Sequence, residues 1–285
     1  MSYVNDDALV DATWVASHLE DPQVRIVDGT WHLPPTGRNG REEYDSSHIP
    51  GAVYFDIDAI SDPDSNLPHM MPTAEAFADA VGAMGIANDQ RVIVYDADGL
   101  FSAPRVWWMF RAFGHDNVAV MTGGFTAWKN EGRPVSAEIP SPAAARFEAL
   151  FNANMVRSKA QIMANIESGG ELVLDARAAN RFAGNEPEFR PGVVPGHIPG
   201  SGNLPYAEIV DTKNGAFVSG TDLLNAFDAQ GATGVQPVVT TCGSGITACI
   251  LGLGMHLIGR DNWAIYDGSW TEWGGSDDTQ IESEG

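Results

Sequence analysis

The sequence predicts an α/β protein built twice over: two tandem domains, each a mainly parallel sheet flanked by helices. Three observations lead there. Short β-branched apolar runs alternate with segments of helical length, the pattern of a parallel sheet covered on both faces. The same landmarks return at offsets of 145 to 149 positions: Asp28 falls on Asp175, His48 on His197, Tyr95 on Thr241 and Thr122 on Asp267. That period is far longer than a solenoid unit and suits a duplicated domain. Finally, 285 residues, 44% of them hydrophobic, can supply two cores.

In chain order, Arg25–Asp28 reads as a short strand, and Thr73 caps a helix running through Phe77 and Val81 to about Met84, stopped by Gly85. The strand Arg91–Tyr95 leads into a helix from Ser102 to Phe113, which tolerates Pro104 in its first turn and closes at Gly114. Val118–Met121 is again a strand, followed by a short helix near Phe125 to Lys129. The second copy repeats this plan. Leu172–Asp175 answers the first strand, and His197-Ile198-Pro199-Gly200 answers His48-Ile49-Pro50-Gly51. A helix capped by Thr221 ends by Gly231, Pro237–Thr241 answers the strand ending at Tyr95, and Asp267–Trp273 answers Thr122–Trp128. The stretch from Arg133 to Ala153, with Pro134, Pro140, Pro142 and an alanine run, separates the copies. The expected organisation is one domain over 1–138, a linker over 139–153 and a second domain over 154–285.

Two cysteines cannot build a disulfide framework, no apolar run approaches the roughly 18 residues of a membrane span, and the first residues have neither basic flank nor apolar stretch. A soluble chain from a reducing, cytoplasmic compartment is expected, with no membrane partner. Acidic residues outnumber basic ones 38 to 16 and lysine occurs only at 129, 159 and 213, for a net charge of −22. Such a surface repels the phosphates of nucleic acid. Any anionic substrate must then be held by local arginines or backbone N–H groups rather than by long-range attraction.

The chemistry is concentrated in Val238-Val239-Thr240-Thr241-Cys242-Gly243-Ser244-Gly245-Ile246-Thr247-Ala248. A buried strand stops at a cysteine in a glycine-punctuated loop, and an apolar helix from Ile246 to Leu257 follows. This geometry turns several backbone N–H groups and the positive end of a helix dipole towards one spot. A thiol there is expected to ionise below the value of about 8.5 for a free cysteine and to act as a nucleophile. The repeat breaks down at this point, because Asp96 stands opposite Cys242. The first copy therefore serves as scaffold and as one wall of a shared cleft, a favoured place for a ligand.

Two His-Ile-Pro-Gly turns, the Cys-Gly-Ser-Gly-Ile-Thr-Ala loop and Asp267-Gly268-Ser269-Trp270-Thr271-Glu272-Trp273 together resemble the tandem-domain rhodanese superfamily of sulfurtransferases, from about Leu9 to Gly274. More narrowly, they resemble its 3-mercaptopyruvate branch. The resemblance implies two rhodanese-like domains, the second of them catalytic. It implies a persulfide on Cys242, drawn from a small-molecule sulfur donor and passed to a thiol, thioredoxin or cyanide, with no metal or organic cofactor. The loop residues Gly243, Ser244, Gly245, Ile246 and Thr247 would cradle the persulfide, as an oxyanion hole holds charge. Thiosulfate enzymes of the family tend to carry basic residues just after the cysteine, where this chain has Gly243 and Ser244. The mercaptopyruvate branch places two arginines before the second His-Ile-Pro-Gly turn, matching Arg181 and Arg190, whose N–H forks suit a 2-oxo acid. It also implies a Ser-His-Asp set at Ser244, His69 and Asp58, fit to protonate a departing enolate. Leu67-Pro68 stands ahead of His69 where the family can carry Tyr-Asp.

Thiosulfate:cyanide sulfur transfer stays open as the alternative, and a non-catalytic sulfur-binding module stands behind it. A phosphatase of related fold needs an arginine six positions after the cysteine, where this chain has Ala248. Arg177 reads as half of an ion pair, His48 and His197 as turn-stabilising, and Trp107 and Trp108 as core or interface. Gly252 and Gly254 read as packing positions, and Cys249 as a small core residue.

Overall fold

The protein was analysed as a computed structural model that describes residues 2–284. Five strands form the first sheet: β1 (Leu9–Val10), β2 (Val24–Asp28), β3 (Val53–Tyr54), β4 (Arg91–Tyr95) and β5 (Val118–Met121), in the order β1-β5-β4-β2-β3. The second sheet is built from β6 (Val156–Arg157), β7 (Leu172–Asp175), β8 (Gly202–Asn203), β11 (Val238–Thr241) and β12 (Trp263–Tyr266), in the order β6-β12-β11-β7-β8. Position by position the two orders are the same, and every pairing within them is parallel. A small antiparallel pair, β9 (Val210–Asp211) with β10 (Ala216–Phe217), lies outside both sheets. The inner strands β5, β11 and β12 are buried along their whole length, which is why they show no polar-apolar alternation.

Helices α1 (Ala12–Ser17) to α5 (Gly124–Asn130) flank the first sheet, with α2 over Gly40–Ser46, α3 over Ala74–Ala83 and α4 over Ala103–Ala112. Around the second lie α6 (Lys159–Ser168), α7 (Ala179–Phe182), α8 (Tyr206–Ile209), α9 (Gly220–Ala229), α10 (Ala248–Leu257) and α11 (Ser269–Trp273). Thr73 caps α3 as expected, accepting from the Ala76 amide at 3.2 Å, and Gly85 follows in the left-handed region. The cap of α9 is Ser219 rather than Thr221: its hydroxyl accepts from the Asp222 amide and donates to the Asp222 carboxylate, so the helix begins at Gly220. The helix after the cysteine loop begins at Ala248, two residues later than expected.

α4 and α10 occupy equivalent places in the repeat and pack against each other at the centre of the molecule. One hydrophobic core therefore runs through both domains, with Trp107 of α4 stacked at 6.2 Å on Trp263 of β12. A Cβ on Gly252 of α10 would lie 2.6 Å from the Trp263 ring, so only glycine fits this approach. Residues 137–152 have no helix or strand and are bound along the first domain. Ala145 donates to Gly82, Leu150 to Phe113 and Asn152 to Ala112, while Phe147 is buried among Phe77, Phe110 and His115.

Each domain also sends an arm across to the other. In the first, the chain turns back on itself with Asp62 N–H bonding to Met70 C=O, and Met71 N–H reaches the Asp267 carboxylate of the second domain at 2.8 Å. In the second, the β9–β10 turn presents the Gly215 carbonyl to Gly123 N–H of the first domain at 2.7 Å. The first arm carries His69.

Candidate active site

Cys242 follows β11 directly and is 1% exposed. Its amide donates to the Ser269 hydroxyl and its carbonyl accepts from the Trp270 amide, while the Gly243 carbonyl accepts from Thr271 N–H and hydroxyl. The Asp267–Trp273 motif thus clamps the loop from behind. Ahead of it, the amides of Gly243 to Ala248 find no acceptor among the described residues. The first domain shows what such a loop holds. There Asp96 stands in the place of Cys242, and its carboxylate accepts from the amides of Gly99, Phe101, Ser102 and Ala103 at 2.5 to 2.8 Å. Gly99 (φ 82°) and Gly245 (φ 79°) make the same left-handed turn in the two loops. The first loop is filled by its own carboxyl group, whose pKa burial raises against the amide bonds; the second presents its amides beside a thiol.

The two walls of the cleft come from different domains. Trp31, Leu33 and Phe101 of the first domain face Arg181, Phe189, Arg190, Tyr206, Cys242 and Ser244 of the second around a cavity of about 210 Å³. Arg190 donates to the Ser244 hydroxyl at 3.2 Å and has no carboxylate partner among the described residues. Its pKa is lowered by burial and by neighbouring Arg181, against the opposing pulls of Cys242, Glu188 and Asp58. Arg181 is placed differently. It is ion-paired at 2.5 Å with Glu188, whose other oxygen accepts from Arg177. Arg177 is also paired with Asp175 and lies over the Trp270 ring; it is an ion-paired cation, but a buried one paired within its own domain rather than at the surface or between domains. Phe189 supports both cleft arginines, with guanidinium carbons 5.2 and 4.9 Å from its ring centre.

His69 is buried in the left-handed region (φ 63°) with Nδ1 2.7 Å from the Asp58 carboxylate, which also accepts from Trp31 Nε1. Burial lowers the His69 pKa and outweighs the pull of Asp58. Burial pushes Asp58 the other way, yet its bond to His69 leaves it below the ordinary carboxylate value. The imidazole is therefore neutral near pH 7 and its partner ionised. Among the described residues His69 Nε2 has no hydrogen-bond partner, and the Ser244 hydroxyl accepts from Arg190; the expected Ser244–His69 contact is not among the bonds made. The His69 arm and the cysteine loop are linked instead through Arg105 of α4. This fully buried guanidinium donates to the carbonyls of His69 and Gly245 and pairs with Asp267 at 2.5 Å.

Glu188, Phe189, Trp31, Arg105 and Asp267 are absent from the site expected from sequence. One signal was available for Arg105, a charge in the first turn of a helix that is otherwise apolar up to Arg111, where burial demands a partner. His48 and His197 bond to backbone carbonyls, of Tyr44 and Glu138 and of Phe182 respectively.

Comparison with known proteins agrees with this architecture. The profile of the rhodanese-like domain matches residues 11–131 and again 158–276, and the chain belongs to that family. Among its relatives, 3-mercaptopyruvate sulfurtransferase of Mus musculus is 43% identical over 272 residues, 93% of this chain and 91% of that protein. Thiosulfate sulfurtransferase of Bos taurus is 42% identical over 273 residues, with the same coverage of each. The crystal structure of SseA from Escherichia coli, described with the 3-mercaptopyruvate sulfotransferases, superposes with a TM-score of 0.84 at 37% identity, covering 92% of this chain and 98% of that one.

Proposed function

We propose that this chain takes sulfur from 3-mercaptopyruvate, holds it as a persulfide on Cys242 and passes it to a thiol, thioredoxin or cyanide. The chain is a sulfurtransferase, the activity named for relatives that match it over nearly its whole length. What carries the site assignment is the pair of loops: one cradle of amides filled by the Asp96 carboxylate, and its counterpart open beside Cys242.

In the first half-reaction the Cys242 thiolate attacks the donor sulfur. An S–S bond forms, the carbon–sulfur bond breaks, and pyruvate leaves as its enolate, which takes up a proton. The persulfide charge is met by the loop amides. Ser244, held by Arg190, and His69, held by Asp58, are the proton carriers on the two walls. Arg190 and Arg181 bind the carboxylate and keto oxygen. In the second half-reaction the acceptor attacks the outer sulfur, the S–S bond breaks and the Cys242 thiolate returns; cyanide leaves as thiocyanate. The first domain supplies a wall and an arm but no nucleophile.

Thiosulfate as donor is the second reading, favoured by the 42% identity to the bovine enzyme. The absence of a basic side chain at Gly243 and Ser244 favours mercaptopyruvate. The test is mass spectrometry after incubation with 3-mercaptopyruvate. A gain of about 32 Da on the peptide bearing Cys242, with pyruvate released and both lost in Cys242→Ser, is expected. Absence of both the adduct and released pyruvate would overturn the 3-mercaptopyruvate reaction; higher kcat/KM with thiosulfate would replace the donor.

A further inference from the structure

We propose that Glu188 selects the charge of the sulfur donor: by pairing with Arg181 it leaves Arg190 as the one cleft arginine with no carboxylate bonded to it, so that a monocarboxylate fits and the thiosulfate dianion does not. The inference rests on the reading of this cleft as the donor site.

The geometry is that of a shared counter-ion. Glu188 is 4% exposed at its side chain, with one oxygen on Arg177 at 2.9 Å and the other on Arg181 at 2.5 Å. Arg177 has a second carboxylate, Asp175, at 2.7 Å. Three guanidinium groups thus face two buried carboxylates, and one positive charge is left over. It resides on Arg190, whose single hydrogen bond among the described residues goes to the neutral hydroxyl of Ser244. Glu188 and Asp58, the latter 62% exposed and paired with His69, both lie near Arg190 without bonding to it, and as negative charges they oppose a second negative charge on the donor. The loop supplies no cation, and the persulfide under construction is itself negative. A buried anion gains from one matched cation, whereas a second negative charge would be desolvated without a partner. The 2-oxo thiol brings one carboxylate to Arg190; thiosulfate brings two negative charges to the same place. Glu188 lies outside the set of groups that touch Cys242, which is why residue types at the loop do not reveal it.

The test compares Glu188→Gln, which removes the charge and keeps the shape, with Glu188→Asp, which keeps the charge. The ratio of kcat/KM for thiosulfate to that for 3-mercaptopyruvate should rise at least about 5-fold in the Gln variant and stay within about 2-fold of the parent in the Asp variant, at fixed ionic strength. An unchanged ratio in the Gln variant, or an equal rise in the Asp variant, would overturn the proposal. Should Glu188→Gln not fold, calorimetry on Cys242→Ser decides: pyruvate should bind more tightly than thiosulfate, and the reverse order would sink the charge argument. A parent enzyme that prefers thiosulfate would defeat the donor assignment itself; a parent that prefers 3-mercaptopyruvate beside an unmoved ratio defeats only the role of Glu188.

Discussion

Arg105 of the first domain and Asp267 of the second form a fully buried ion pair at 2.5 Å, and between them they hold both sides of His69. Arg105 donates to the His69 carbonyl, and Asp267 accepts from the Met71 amide at 2.8 Å. The same guanidinium donates to Gly245 at 3.2 Å, tying the arm of one domain to the cysteine loop of the other.

Removing the cation should therefore do more than loosen an interface. Arg105→Met leaves Asp267 buried without a counter-charge, a change that costs about 3–5 kcal/mol. Urea unfolding should show that loss, and sulfur transfer should fall with it, because His69 and Gly245 lose their common anchor. A stability change below about 1 kcal/mol would contradict the role given to the pair.

Gly245→Ala and Gly243→Ala should differ sharply. At Gly245 the backbone is left-handed, and a Cβ would lie 2.8 Å from Arg105 Nη1 and 3.0 Å from the Asp267 carbonyl. Backbone strain alone costs about 1–2 kcal/mol, and the displaced arginine adds to it. At Gly243 the nearest group is the Arg181 guanidinium at 3.4 Å, an ordinary contact. The Gly245 variant should show the larger loss of both stability and kcat; equal losses would argue against the Arg105 anchor.

The two cleft arginines should respond differently to a second change. Losing the charge-assisted contact of Arg190 is worth about 1.5–3 kcal/mol, so Arg190→Ala should lower kcat/KM for 3-mercaptopyruvate by roughly 10- to 150-fold. Adding Glu188→Gln should not restore it. Arg181→Ala leaves a Glu188 oxygen unpaired in the cleft, and there the added Glu188→Gln should recover part of the loss. A double-mutant cycle in kcat/KM measures the coupling.

Asp28 gives a prediction in pH. Burial raises its pKa to about 6, against the bonds it accepts from Thr30. The folded state then binds more protons than the unfolded chain between the ordinary carboxylate value and about pH 6, so this group's contribution to stability falls as pH rises through that window. Asp28→Asn has no such term. Its stability relative to the parent should grow by about 2–3 kcal/mol between pH 4 and pH 7; a difference flat in pH would place the folded pKa near the unfolded one.

The sequence by itself determined the doubled α/β plan and where its two copies differ, Cys242 in one loop and Asp96 in the other. The strands Arg91–Tyr95, Val118–Met121 and Leu172–Asp175 fall at the residues expected, because hydrophobic patterning and turn residues act over a few positions at a time. Cys242 and its loop were legible for the same reason: strand, glycine turn and helix are contiguous. Small misplacements, such as Ser219 for Thr221 at a helix start, reflect competition between two hydroxyls two residues apart. The tertiary structure alone decided which partner each charged side chain takes. Nothing local distinguishes Arg181, neutralised by Glu188, from Arg190, which has no carboxylate, nor marks Arg105 as the residue that meets an aspartate 162 positions away. Ion pairs are selected by distance and desolvation in the folded chain, and both are set by how the two domains cross arms at their interface.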